Sequence, residues 1–337
     1  MTFALGFRNF RGQFALLAAV TLPLMTATFS NGQGLNDQDI IFSEVFEEIF
    51  VFDPASGAVN DVLDSNPLES PFGQLVEAVT ADRIVISDFG NLYEYVDQTT
   101  TRLVASLPRS ISAVARDGNG NLFVGDSNGI FSVDLDTGEV ESVIEELFFT
   151  TDIVASGDGL VYFTSVLGDV LAVIDPITGT SRQIGRFGFG EPGFEEFGAV
   201  GFRHLDIGPD GLLYAASLDE VFQVNPLTGD AQILATTGIS SIDGLSVDLG
   251  GQLVLAGDFG GTEGIFSVNP LTGGVTTLLD GATIDDRFFS IQDISVWEPG
   301  LRTALNGAAV PEPTGLVPML IVSGVVVTGR RRSLGCF

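Results

Sequence analysis

The sequence predicts an all-β fold: a six-bladed β-propeller closed by its last strand, with an N-terminal signal and a C-terminal apolar helix outside the ring. Three observations carry this. A turn stretch occurs twice almost unchanged, as Asn225-Pro226-Leu227-Thr228-Gly229 and Asn269-Pro270-Leu271-Thr272-Gly273, each between apolar-alternating runs. Marking this turn and its looser copies gives positions 57, 100, 138, 179, 229 and 273, spaced 38 to 50 residues apart. That period, with several short strands per unit, is the spacing of propeller blades. Finally, the first unit lacks an inner strand and the chain after the sixth has one left over, residues 290–297.

Each element has a local reason. Proline presets φ at the second turn position, Asn or Asp before it bonds the turn backbone, and Gly after it takes positive φ. The looser copies keep this chemistry: Asp53-Pro54-Ala55-Ser56-Gly57, Asp134-Leu135-Asp136-Thr137-Gly138 and Asp175-Pro176-Ile177-Thr178-Gly179, with Asp97-Gln98-Thr99-Thr100 degenerate. The third unit reads as strands 111–116, 121–125, 129–134 and 139–144, the fourth as 153–156, 160–165, 170–175 and 180–184. Gly/Asp/Asn turns separate the first two runs of a unit, as in Asp117-Gly118-Asn119-Gly120 and Gly208-Pro209-Asp210-Gly211. The fourth runs are polar and Thr-rich, as suits an edge strand that must not pair with a neighbour. If residues 290–297 become the inner strand of the first blade, the ring closes and the free edges between the termini disappear.

The chain divides into a signal peptide (1–30), the propeller (40–298), a linker (299–309) and a C-terminal tail (310–337). In residues 1–30, Arg8 and Arg11 are the only charges and precede an apolar run too short to span a membrane. The tail places Val310-Pro311-Glu312-Pro313 before an apolar run, 315–329, and then Arg330-Arg331-Arg332. Three Arg favour a cytoplasmic end for that run. As a helix it is about 22 Å long against about 30 Å of hydrocarbon, a weak anchor.

Composition excludes some functions. The chain has 14 Arg and no Lys against 44 acidic residues, a net charge of −30, which opposes nucleic acid. Cys336 is the sole cysteine, so no intramolecular disulfide forms, and His204 is the sole histidine. There is no Gly-x-Ser-x-Gly elbow, and Asp117–Asn121 lacks the Gly and Glu of a calcium loop and reads as a hairpin turn. The longest connection between units, 186–203, interleaves Phe187, Phe189, Phe194 and Phe197 with Gly, Glu195 and Glu196. It reads as a loop packed on a blade edge, with a binding loop as the alternative.

The inner strands all run one way, so equivalent residues form rings. Aligned on the turns, Glu77, Ala115, Val154, Asp206, Ser246 and Ser295 form one ring. Leu75, Ala113, Asp152, His204, Gly244 and Asp293 form the next. Glu77, Asp152, His204, Asp206 and Asp293 therefore face one axial opening, with Leu205 and Ile207 in the core-facing phase. Such acids solvate a channel, in which case no cofactor is expected. If they converge, Ca²⁺ or another divalent metal is the ion they suit.

Two resemblances add to this. Gly120-Asn121-Leu122-Phe123-Val124-Gly125-Asp126 and residues 206–214 resemble secreted bacterial propellers of the NHL, YVTN and SMP-30-like superfamily. That implies a propeller and no particular activity, although the SMP-30-like lactonases hold a divalent ion in a comparable place. The tail, through Pro311, Glu312, Pro313, Arg330, Arg331 and Arg332, resembles the PEP-CTERM sorting tail, also known as an ice-binding-protein C-terminal domain. It implies export by the secretion machinery, transient membrane association and processing by an exosortase. The expected function is a secreted or cell-surface interaction or structural module, in the envelope, at the surface or in the matrix, with an unknown surface or matrix ligand and without catalysis. The alternative is a metal-dependent SMP-30-like hydrolase or lyase using the channel acids.

Overall fold

The computed structural model describes residues 35–36, 38–44, 49–63, 75–80, 83–97, 100–145, 150–165, 170–186, 203–248, 250–283 and 291–296. The signal, the linker, the tail and nearly all of the 186–203 connection lie outside these residues. Among the described residues no helix is long and apolar enough to cross a membrane.

Twenty-four strands form six four-stranded antiparallel sheets. Blade 1 holds β1 (Ile40–Glu44), β2 (Ile49–Asp53) and β3 (Ala58–Leu63). Blade 2 is β4 (Val76–Thr80), β5 (Arg83–Asp88), β6 (Asn91–Asp97) and β7 (Thr100–Ser106). Blade 3 is β8 (Ile111–Arg116), β9 (Leu122–Asp126), β10 (Gly129–Val133) and β11 (Val140–Glu145). Blade 4 is β12 (Thr150–Ala155), β13 (Val161–Ser165), β14 (Val170–Asp175) and β15 (Thr180–Arg186). Blade 5 is β16 (His204–Ile207), β17 (Leu213–Ser217), β18 (Glu220–Val224) and β19 (Ala231–Thr236). Blade 6 is β20 (Ile239–Val247), β21 (Leu253–Phe259), β22 (Thr262–Val268) and β23 (Val275–Asp280). The last strand, β24 (Ile291–Val296), returns to blade 1 and pairs antiparallel with β1, Ile40 opposite Val296 and Phe42 opposite Ile294. The ring closes as the strand count requires.

The core lies between blades rather than within them. Six apolar clusters occupy the described residues, each shared by two neighbouring blades. Strand β2 shows why the middle strands read as nearly continuous apolar runs. Ile49 and Val51 pack towards blade 2, while Phe50 and Phe52 pack towards blade 6. Both faces are covered, so neither tolerates polar alternation. The outermost strands have lost that cover, and β11 is exposed or half-buried along its length.

The turn chemistry is as the sequence suggests. Asn225 Oδ1 accepts from the amides of Leu227 (2.9 Å) and Thr228 (3.2 Å), and Asn269 Oδ1 does the same for Leu271 (2.9 Å) and Thr272 (3.2 Å). Gly229 and Gly273 take φ of +77° and +67°. A Cβ at Gly229 would also sit 2.3 Å from the Ile184 carbonyl, so the turn nests against the preceding blade. Asp117 likewise spends its carboxylate on its own loop, accepting from the amides of Asn119 and Asn121 at 2.8 Å each. It is a hairpin turn.

Candidate functional site

The six inner strands, β4, β8, β12, β16, β20 and β24, enclose an axial cavity of about 170 Å³. Glu77, Asp152, His204, Asp206 and Asp293 all line it. Leu205 and Ile207 turn instead into the core between blades 4 and 5. Ser112, Thr151 and Gln292 also line the cavity, and the ring alignment passed over them. Strict alternation would turn them away. The ladder is irregular between Thr150 and Asp152 and between Ile111 and Ala113, and such bulges let both parities reach the axis.

The carboxylates are turned towards the neighbouring blade. Asp152 on β12 accepts from the Leu205 amide of β16 at 2.7 Å. Asp206 on β16 accepts from the Val247 amide (2.7 Å) and Ser246 Oγ (3.1 Å) of β20. Asp293 on β24 accepts from the Val76 amide of β4 at 3.0 Å, and Ser295 Oγ donates to Glu77 at 3.1 Å. The other seams have counterparts. Arg116 Nε of blade 3 lies 3.5 Å from Glu77 Oε1 of blade 2. Ser112 Oγ of blade 3 donates to the Thr150 carbonyl of blade 4 at 2.6 Å. Glu263 of blade 6 accepts from the first amide of β24, Ile291, at 3.2 Å. Each seam thus carries a polar link, five through a residue that lines the cavity and the sixth, between blades 6 and 1, through Glu263 of β22, which does not line it. The chemical reason is geometric: inner strands of adjacent blades run side by side without forming a ladder, so their inward amides need acceptors, and Asp reaches them.

This arrangement commits carboxylate oxygens to backbone amides rather than pooling them at one point. Among the described residues no three His, Cys, Asp or Glu side chains converge as a metal site requires. His204 is half-buried and bonded to the Ile242 backbone, and burial lowers its pKa to about 4, so it is neutral near pH 7.

A narrow cavity hydrates charge poorly, and the acids repel one another across it. Burial, then the Asp293 and Asp206 charges, pushes Asp152 well above the usual carboxylate range against the amide bonds from Leu205 and Ile153. Asp293 rises to about 7, chiefly through burial with Glu77 adding, while amide bonds from Val76 and Ile294 oppose the shift. The folded chain therefore holds a proton on Asp293 that the unfolded chain releases from about pH 4 upwards. Stability from this group falls as pH rises through that window and is fully lost above about 7. His204 acts in the opposite sense, its contribution falling as pH drops from 6.5 towards 4. Asp293→Asn keeps an acceptor for Val76 and removes the charge. It is expected to raise stability at pH 8 by on the order of 2 kcal/mol, about 5 °C in Tm, and by roughly a third of that at pH 5, where the unfolded carboxylate has already released its proton. Calorimetry at the two pH values checks this; an equal shift at both would show that charge is not the cause.

No protein-family model matches the chain, and no curated protein matches it in sequence. Solved structures do share the fold. One is a protein of unknown function from Bacteroides caccae, with TM-score 0.56 and 16% identity over 77% of this chain and 99% of that one. A chain of a nidogen/laminin complex gives TM-score 0.57 and 13% identity over 77% and 98%. An extracellular domain attributed to a hybrid two-component system of B. thetaiotaomicron gives TM-score 0.50 and 13% identity over 79% of this chain. This chain spans 39% of that one's length. At these identities the likeness is one of fold.

Proposed function

We propose that the chain is a secreted or cell-surface interaction module: a non-catalytic propeller carried to the envelope, surface or matrix by a PEP-CTERM-like tail. The observation that supports it best is the use of the channel carboxylates. Asp152, Asp206 and Asp293 each hold a backbone amide of the next blade, leaving the axis organised for ring integrity rather than for turnover. Similar solved structures that are extracellular, or part of a nidogen/laminin complex, suit an exported binding role. In this reading the secretion machinery exports the chain, the apolar run 315–329 is held transiently in the membrane, and an exosortase-type enzyme acts near Pro311-Glu312-Pro313. The propeller then meets a surface or matrix ligand.

The test is a turnover assay on lactones and simple esters with Ca²⁺, Mn²⁺ or Zn²⁺ supplied. No rate above buffer is expected. A kcat above about 1 s⁻¹, within the ordinary enzyme range, that disappears in Asp206→Asn would overturn the non-catalytic reading.

A further inference from the structure

We propose that the face from which both chain ends leave the ring docks on the lipid bilayer while the tail is inserted, with Ile177, Leu227 and Leu271 entering the interface. This rests on the tail reading above.

The topology identifies the face. Strand β1 starts at Ile40 and β24 ends at Val296, and these two residues pair. Ile40 also pairs with Phe52, beside the turn that joins β2 to β3. Both ends therefore leave at the level of the turns between third and fourth strands of the blades. Neighbouring blades confirm that level: Arg182 of blade 4 donates to the Pro226 carbonyl of the blade 5 turn at 3.1 Å.

At the tips of three consecutive turns of this face stand apolar side chains. Ile177 and Leu271 are each 93% exposed and Leu227 is 46% exposed. They are held out rigidly, because the preceding Asp175, Asn225 or Asn269 accepts the tip amide at 2.9 Å. A pre-ordered tip loses little entropy on insertion. Charge on this side is mixed, with Asp175 at the base of the Ile177 turn and exposed Asp158 and Asp210 on the turns between first and second strands of the same face. Blades 5 and 6 carry Asn225 and Asn269 where blades 1, 3 and 4 carry Asp53, Asp134 and Asp175, and Arg182 adds a positive charge between blades 4 and 5. Asp230 remains beside Thr228. The occupant follows from the chain beyond the ring. Residues 297–314 join Val296 to the apolar run, a reach of at most roughly 60 Å. Tethering at that length presents the face to the bilayer at an effective concentration near the millimolar range, where three weak insertions suffice. The net charge of −30 opposes an anionic surface, so the lipid that fits is zwitterionic and the contact is insensitive to salt.

The test uses the full chain with Cys336→Ser and one new cysteine, Leu271→Cys or Leu218→Cys, labelled with bimane. Leu218 lies in the turn between β17 and β18, on the opposite face, and is 47% exposed. The protein is floated with phosphatidylcholine vesicles containing doxyl-labelled lipid. The expected result is at least about twofold quenching at position 271, none at 218, and loss of quenching at 271 when Ile177→Ser is added. Flotation without quenching at 271, or equal quenching at both positions, overturns the docking while the tail reading stands. Failure to float overturns the tail reading and the docking with it.

Discussion

A chain lacking residues 288–337 is expected to lose its cooperative melt and aggregate, while one lacking only 300–337 stays soluble and melts cooperatively. The first deletion removes β24. Ile291 and Ile294 are buried among Val254, Ala256, Ile265 and Leu279 of blade 6 and the Phe42–Phe50 side of blade 1. Losing two buried Ile side chains costs roughly 4–10 kcal/mol, comparable to the whole stability of a typical domain at roughly 5–15 kcal/mol. The deletion also removes the Asp293–Val76, Ser295–Glu77 and Glu263–Ile291 links, which flank the strand on both seams. It bares the edge of β1, where Ile40, Ile41 and Phe42 would template association. The second deletion leaves every described strand intact. Circular dichroism melts with light scattering check the pair, and identical behaviour of the two truncations would show that β24 does not close the ring.

Replacing Glu312 with Ala is expected to leave the precursor uncut in a host that carries an exosortase. Glu312 is the only acid from residue 310 to the end, standing between two prolines before an apolar run. In the proposed sorting role, this one carboxylate is what an exosortase-type enzyme would read. The apolar run and Arg330-Arg331-Arg332 are unchanged in this variant, so the proposed membrane retention is expected to persist with only the cut lost. Intact mass of the recovered protein decides it, and a mature mass equal to that of the parent would remove Glu312 from the recognition.

Features set by local chemistry were legible in the sequence, and those set across seams were not. Asn225 and Gly229 determine their turn within five residues, so the turn could be read directly. The strand count gave the closure, since a leftover run has one place to go. Strand ends shifted slightly where propensity and pairing disagree: β12 begins at Thr150, three residues before its expected start, because Thr150 pairs with Ser165 beyond an irregularity in the ladder. The axial positions of Glu77, Asp152, His204, Asp206 and Asp293 followed from alignment on the turns. What those acids hold did not. Asp152 meets Leu205 and Asp293 meets Val76 across 53 and 217 residues of sequence, and no local pattern encodes an amide that distant. Ser112, Thr151 and Gln292 reach the axis where bulges break the strand period of two, which no local pattern marks.

Metal content of the purified full chain, with melting in EDTA as the companion readout, tests most directly whether the axial carboxylates serve the ring. With Asp152, Asp206 and Asp293 engaged by backbone amides, the chain is expected to carry well below about 0.1 equivalent of any divalent metal and to melt at the same temperature with or without EDTA. About one equivalent of Ca²⁺ or another divalent ion, removed by EDTA with a fall in Tm that Asp206→Asn reproduces, would contradict it.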